Sequence, residues 1–439
     1  GGAGAQGGFS ALGINIGGSG GGGGAGIVFL PSATLINNAA ITGGIGGTGS
    51  YTASCGGGGG GAGIVFITTA TLTNNQTISG GDGGPSYIST GNAGDGVTSQ
   101  SFLTAINNGN IKGGAVADGT GSGGAGINSI QGSIVNNGTI SGGSGGGNNA
   151  TFSNGAAAGN GSGGALGWKP NITSEGNGGV GILFSSGNTT IRNRGNITGG
   201  TGYAGQANAI TFSGSGNTLI LEDMYSFTGN IAGGGSDTLV LAGSTDSSFN
   251  TSALGTQYTG FSTMVKNDSS TWTWTGAYDT SSNGITQTQL NQGTLDAGTN
   301  AITFNPGHTL TYIINGPMDT AAKLITTGLV TPGGHLTINR TAGTYLPGTP
   351  YTLLEGDINN GITFDSVSVY PLRATEHYTV TYTPHIQIFF KFLPLSNAIQ
   401  RGNPGKIAQY LDNHGPASVT AAMRSEEHTS ELQSRQYLV

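Results

Sequence analysis

The chain has one cysteine among 439 residues, and charged residues make up only 8% of it. A single Cys, Cys55, cannot form an intramolecular disulfide. Two readings of that scarcity stand side by side: a reducing compartment, or a chain that crosses a membrane unfolded and must avoid cross-links that lock its loops. Lys and Arg number 13 against 20 Asp and Glu, for a net charge of −7. The bases are scattered, so no patch neutralises phosphates, and nucleic acid is excluded as a partner. No apolar run approaches the roughly 20 residues that a membrane-crossing helix needs. The first residue is Gly1, and no charged-then-apolar leader follows it.

Reactive clusters are missing too. No His precedes His308, and His335, His377, His385, His414 and His428 lack metal-ligand spacing. No Gly-Lys-Ser/Thr occurs, which excludes a P-loop. G-x-S-x-G occurs at 17–21 and 142–146, but a nucleophile elbow needs a strand before it and a helix after it. G-x-G-x-x-G matches are equally uninformative outside a βαβ unit. In the first two hundred residues the only acids are Asp82, Asp95, Asp118 and Glu175. Their contexts differ, without the pairing that glycan cleavage requires. Residues 233–241 partly resemble a calcium-binding nonapeptide with Asp237 as ligand, but the expected Gly is displaced by one and no second copy adjoins it. These absences lead us to expect no catalytic residue, no cofactor and no metal.

Glycine is what the chain has in abundance. With 89 Gly and 13 Pro, the composition approaches the level at which an aperiodic chain is disordered. Periodicity decides otherwise. A Gly run, an apolar strand, a Leu or Ile, Asn-Asn-x-x-Ile and Gly-Gly recur roughly every 30–37 residues, a solenoid spacing. Ile27, Leu35, Asn37, Asn38 and Ile41 begin the series. Ile64, Leu72, Asn74, Asn75 and Ile78 follow, then Val97, Asn107, Asn108 and Ile111, then Ile127, Ile134, Asn136, Asn137 and Ile140. A last copy, after an insertion, holds Ile182, Ile191, Asn193 and Ile197. Each unit carries about three short strand signals and none of the apolar spacing of a helix. The expected fold is all-β: a right-handed parallel β-helix whose equivalent strands stack about 4.8 Å apart, with a β-rich C-terminal cap and one short helix.

Within that frame Asn37, Asn74, Asn107, Asn136 and Asn193 are expected at one structural corner. Asn tolerates left-handed backbone angles, and stacked amides can hydrogen-bond along the axis. The Gly runs, residues 56–61 for example, are expected to form the longest and most mobile corner. On that expectation a charge at Gly58 is tolerated, whereas one at Ile64 is not.

From residue 206 Gly density falls. Asn217-Thr-Leu-Ile-Leu221, Phe227-Thr-Gly-Asn-Ile231 and Gly233-Gly-Gly-Ser-Asp-Thr-Leu-Val-Leu241 resemble late passenger rungs of type V secreted autotransporters. So do residues 261–266, Thr271-Trp-Thr-Trp-Thr-Gly276 and Leu290-Asn-Gln-Gly-Thr-Leu295. Strand-like segments over 308–392, with Gly361-Ile-Thr-Phe-Asp-Ser-Val367, resemble the region that caps such passengers and helps them fold. Residues 403–412 read as a helix, with Asn403 as N-cap, Pro404 in the first turn and Gly415 beyond the end. In the family such a segment precedes the membrane barrel. The organisation expected is β-helix repeats over 1–205, late rungs over 206–300, an autochaperone-like cap over 301–395 and a linker with a short helix over 396–423. Residues 424–439 resemble an in-frame translation of a short-read sequencing adapter and carry no functional argument.

The resemblance implies export across a Gram-negative outer membrane to the cell surface or medium, and a parent anchored by an outer-membrane β-barrel. It implies a non-catalytic adhesin or structural role. Partners would be host or bacterial surface glycans or proteins, and Tyr51, Tyr87 and Trp168 serve either binding or packing. Two alternatives are a β-helix polysaccharide lyase or hydrolase and a disordered Gly-rich matrix protein.

Overall fold

Runs of three to five β-branched and aromatic residues, broken by Gly or Asn, are too short to form a stable hairpin by themselves. They become stable when each pairs with its equivalent in the neighbouring repeat. That is the arrangement in the computed structural model, which describes residues 1–6, 19–50, 55–86, 89–117, 119–146, 176–316, 322–341, 345–359, 361–372 and 376–392. Among these the chain is all-β, and one 3₁₀ turn, Thr251–Ala253, is the only helical element. The helix expected over 403–412 and the tail from 424 lie outside the described residues, as do Tyr51, Tyr87 and Trp168.

Pairing is parallel and in register. Ile27–Phe29 lies on Ile64–Phe66, and Ala33–Asn37 on Ala70–Asn74. Both then continue into the single strand Val97–Asn107, which a register shift divides after Ser99. One column runs Leu35, Leu72, Ala105, Ile134, Ile191, Leu219, Leu239 and Met264. It proceeds through Thr288, Leu310 and Leu336 to Val367. These strands make up one 16-stranded sheet. A six-stranded sheet stacks Ile41, Ile78, Ile111, Ile140, Ile197 and Phe227. Neither residue 206 nor residue 301 interrupts the 16-stranded ladder: Thr190–Asn193 pairs with Thr218–Leu221, and Gln287–Leu290 with Thr309–Ile314.

The inward residues of these columns are almost wholly buried. Ile64, Leu72, Ile78, Val97, Ile111, Ile127 and Ile134 are 0% exposed. Each contributes about 1.5–3 kcal/mol, which together offset the backbone entropy of a Gly-rich chain. Toward the C-terminal half the interior turns aromatic, with Trp272, Trp274, Tyr278, Phe304 and Tyr312. A nine-stranded sheet beginning at Ser247–Phe249 encloses that half. Apart from a short hairpin pairing Thr201–Gly202 with Gly205–Gln206, parallel stacking gives way to antiparallel pairing where Ile386–Phe392 joins Pro350–Ile358 and Glu376–Thr381. A buried ion pair, Arg340 Nη1 to Glu376 Oε2 at 2.7 Å, ties that end to the ladder, and the guanidinium lies over the rings of Tyr345 and Phe390.

The glycine runs depart from expectation. Residues 56–61 are buried and form a packed layer, not a mobile corner. Gly20, Gly23 and Gly26 donate to the carbonyls of Gly56, Gly59 and Ala62 at 2.8–3.0 Å. Gly21 and Gly24 donate to Ala5 and Gly2, and Gly58 and Gly61 to Gly47 and Gly44, at 2.7–2.9 Å. Bonds that recur every third residue have the period of a polyproline-II-type helix, whose own backbone groups are otherwise unpaired. Segments entering the first strand alternate with segments leaving the third. The result is one chain of bonds from Gly200 through Gly179, Gly143, Gly124, Gly114, Gly94, Gly81, Gly61, Gly44 and Gly24 to Gly2.

This packing has no room for a side chain. A Cβ on Gly58 would lie 2.0 Å from the Gly21 carbonyl oxygen, and one on Gly61 2.2 Å from that of Gly24. The third residue of some triplets escapes: Ile45 and Asp82 are exposed, next to buried Gly43, Gly44, Gly80 and Gly81, whereas Gly59 and Ala62 are buried. Gly58→Asp should therefore lower the unfolding midpoint as severely as Ile64→Asp, and Gly61→Ala should cost roughly 2–3 kcal/mol. Gly22→Ala, whose Cβ would approach nothing closer than 3.8 Å, should be neutral. Thermal melts of these variants provide the check, and a wild-type midpoint for Gly58→Asp would refute the packed layer.

Candidate functional site

The recurring Asn-Asn pairs end the second strand of each repeat. Register places Asn37, Asn74, Asn107, Asn136 and Asn193 in one column. All five are 4% exposed or less. Each of the first four donates its Nδ2 to the Oδ1 of the next at 2.8 Å. The same amides clamp the turn that follows. Asn74 Nδ2 donates to the Gln76 carbonyl at 2.7 Å, and the Gln76 amide donates back to Asn74 Oδ1 at 3.3 Å. Asn193 holds Gly195 in the same two-way manner. A side-chain amide offers two donors and two lone pairs, and Asn74 uses all four. None of the five adopts the left-handed angles expected of a corner. They are strand residues, and what selects Asn is the amide's reach to both the neighbouring repeat and its own turn.

A second column lies outside. Asn75, Asn108 and Asn137 donate to Asn38, Asn75 and Asn108 at 2.8–2.9 Å. These donors point toward the N-terminus and the inner ones toward the C-terminus, so the two rows of amide dipoles oppose each other. Sequence reasoning singled out only the inner row, although the recurrence of the second Asn was equally visible.

Beyond Asn193 the inner column continues as Leu221, Leu241, Lys266, Leu290 and Tyr312. Lys266, 1% exposed, turns its Nζ onto the carbonyls of Asn267, Asp268 and Gln292 at 2.6, 2.8 and 3.3 Å. Burial lowers its pKa to about 8. It clamps a turn as the amides do, and no sequence pattern marked it.

The carboxylates are bound up in the architecture. Asp95 accepts from Thr98 Oγ1, the Ala125 amide and Asn128 Nδ2 at 2.8–3.0 Å. Asp82 accepts from the Ala115 amide. Asp237, the calcium candidate, accepts from Asn217 N, Asn217 Nδ2 and Gly234 N at 2.8–3.0 Å. Asp118 and Glu175 lie outside the described residues. Among the described residues no three His, Cys, Asp or Glu come together as metal ligands. Comparison with known proteins finds no matching family model, no similar curated protein and no similar solved structure.

His308 is held by packing. Its ring stacks on Phe304, Nδ1 donates to the Ile285 carbonyl at 3.2 Å, and Nε2 meets no partner. Burial lowers its pKa to about 4.

Two measurements test these assignments. Asn107→Ala removes bonds to two neighbours and strands turn groups, so it should cost about 2–4 kcal/mol. The exposed Asn108→Ala should stay within about 0.5 kcal/mol of wild type in the same denaturant titration. For His308, the unfolded chain takes up a proton near pH 6.5 and the folded chain only near pH 4. Its contribution is therefore complete above pH 6.5 and lost as pH falls toward 4, by up to about 3 kcal/mol. His308→Gln should flatten the stability profile over that window.

Proposed function

We propose that this chain is the surface-displayed passenger of an autotransporter, a right-handed parallel β-helix serving as a non-catalytic adhesin or structural spacer. The observation that carries the reading is the uninterrupted in-register column from Leu35 to Val367. It makes a long body whose repeats differ in loop length yet keep one cross-section. Parallel strands joined within one sheet are connected right-handedly in nearly all proteins, which supports the handedness.

The outer surface fits display. A hydroxyl column, Thr34, Thr71, Thr104, Ser133, Thr190, Thr218, Thr238 and Thr263, faces outward along the second strands. Solenoids use such extended faces for binding. Asp95 and Asp237 spend their oxygens on backbone and amide donors, which argues against acid–base chemistry there. A chain with Cys55 alone can pass a membrane unfolded without forming an internal disulfide. The antiparallel closing strands over 350–392 suit a terminal cap.

Antibodies against the whole chain should label intact cells of the bacterium that makes it, and disrupting the gene should reduce attachment to surfaces or to neighbouring cells. Labelling that requires lysis would overturn the proposal.

A further inference from the structure

The six-stranded sheet ends at Ser226–Thr228, and the next strand on that side, Ser247–Phe249, opens the nine-stranded sheet without pairing to it. The two sheet edges are unpaired there although the 16-stranded ladder beside them is unbroken. Between them lies an open cleft of about 420 Å³. The Tyr225 hydroxyl bridges the gap, donating to the Ser248 carbonyl at 2.9 Å. Its ring stacks on buried Trp272 with centroids 5.8 Å apart. Phe227 packs edge-on against Tyr258. Both Tyr225 and Phe227 remain partly exposed, so their rings form a rigid apolar wall. Beside them Met224 takes a left-handed backbone, φ 64°, and the residue is 70% exposed. An unbranched apolar residue held in that conformation and turned to solvent is unusual, and such outliers point toward function.

No charged side chain lines the cleft. Besides the lining tyrosines, its polar groups are the hydroxyls of Ser226, Ser247 and Ser248 and the amides of Asn250 and Gln257; Asn250 Oδ1 also accepts from the Ser252 amide and Gln257 Nε2 donates to the Gly229 carbonyl. Neutral donors and acceptors around a rigid aromatic wall suit a ligand with one flat C–H face and hydroxyls at its edge. That is the chemistry of a pyranose ring. We propose that this cleft binds a neutral hexose or N-acetylhexosamine unit of a surface glycan, with Tyr225 and Phe227 stacking on the sugar and Met224 covering it. The site rests on the reading of the chain as a displayed binding protein and supplies that reading with a ligand class.

The test uses the full chain on an array of neutral hexose and N-acetylhexosamine oligosaccharides, followed by titration of the tightest binder. Met224→Gly keeps the backbone conformation and removes only the exposed side chain, so melting should be unchanged or improved. Affinity should fall roughly tenfold. Met224→Glu should weaken binding as much, at an unchanged midpoint. Wild type that binds none of these sugars, binding that both Met224 variants retain, or a cleft filled only by extended peptides would each overturn the proposal. Cells that are labelled and attach while the array stays blank would remove the sugar site and leave surface display standing. Antigen confined to lysed cells would instead remove surface display, whatever the array shows.

Discussion

A parallel strand in this protein draws both rows of its backbone hydrogen bonds from other repeats, since nothing within its own repeat pairs with it. Each repeat is therefore stable only as part of a stack. That dependence explains why register is kept so strictly. A slip of one residue would turn every inward Ile or Leu to solvent. The spacing between successive column Asn falls from 37 to 33 to 29 residues, yet Leu35, Leu72, Ala105 and Ile134 still align. Length varies in the connections, and the columns absorb none of it.

The glycine layer solves the same problem where strands are absent. Three-residue segments cannot bond internally, so they bond to segments above, below and beside them. Close approach of so many backbones requires most of the bonding residues to lack a side chain, as Gly58 and Gly61 do. Glycine, usually a source of disorder, here permits burial. The entropy it costs is balanced by hydrogen bonds satisfied in a buried layer, where leaving them unmade would be far more expensive.

The amide columns show polar groups doing structural work beside an apolar core. Asn74 satisfies two neighbours and its own turn through one side chain, so the whole row is mutually supportive. Lys266 performs the clamp with a single ammonium and three carbonyls in a column otherwise aliphatic at that level. Amide and ammonium each supply a buried donor at the strand end, in a column where Leu221, Leu241 and Leu290 do without one.

Much of the architecture was legible in the repeats alone. The aliphatic and Asn positions recur at one place in each unit because every unit faces the same neighbours, and this predicts stacked parallel strands. The packed glycine layer was also written in the chain, as Gly-Gly-x triplets such as residues 43–48 and 57–62. It was misread because glycine density resembles a loop until the period of three is noticed. The cleft beside Tyr225, the burial of Lys266 and the antiparallel closure over 350–392 had no such signal. Each occurs once, and each arises from where two sheets part or meet. Repetition determines what every layer shares, and only the tertiary structure decides what happens at a break between layers.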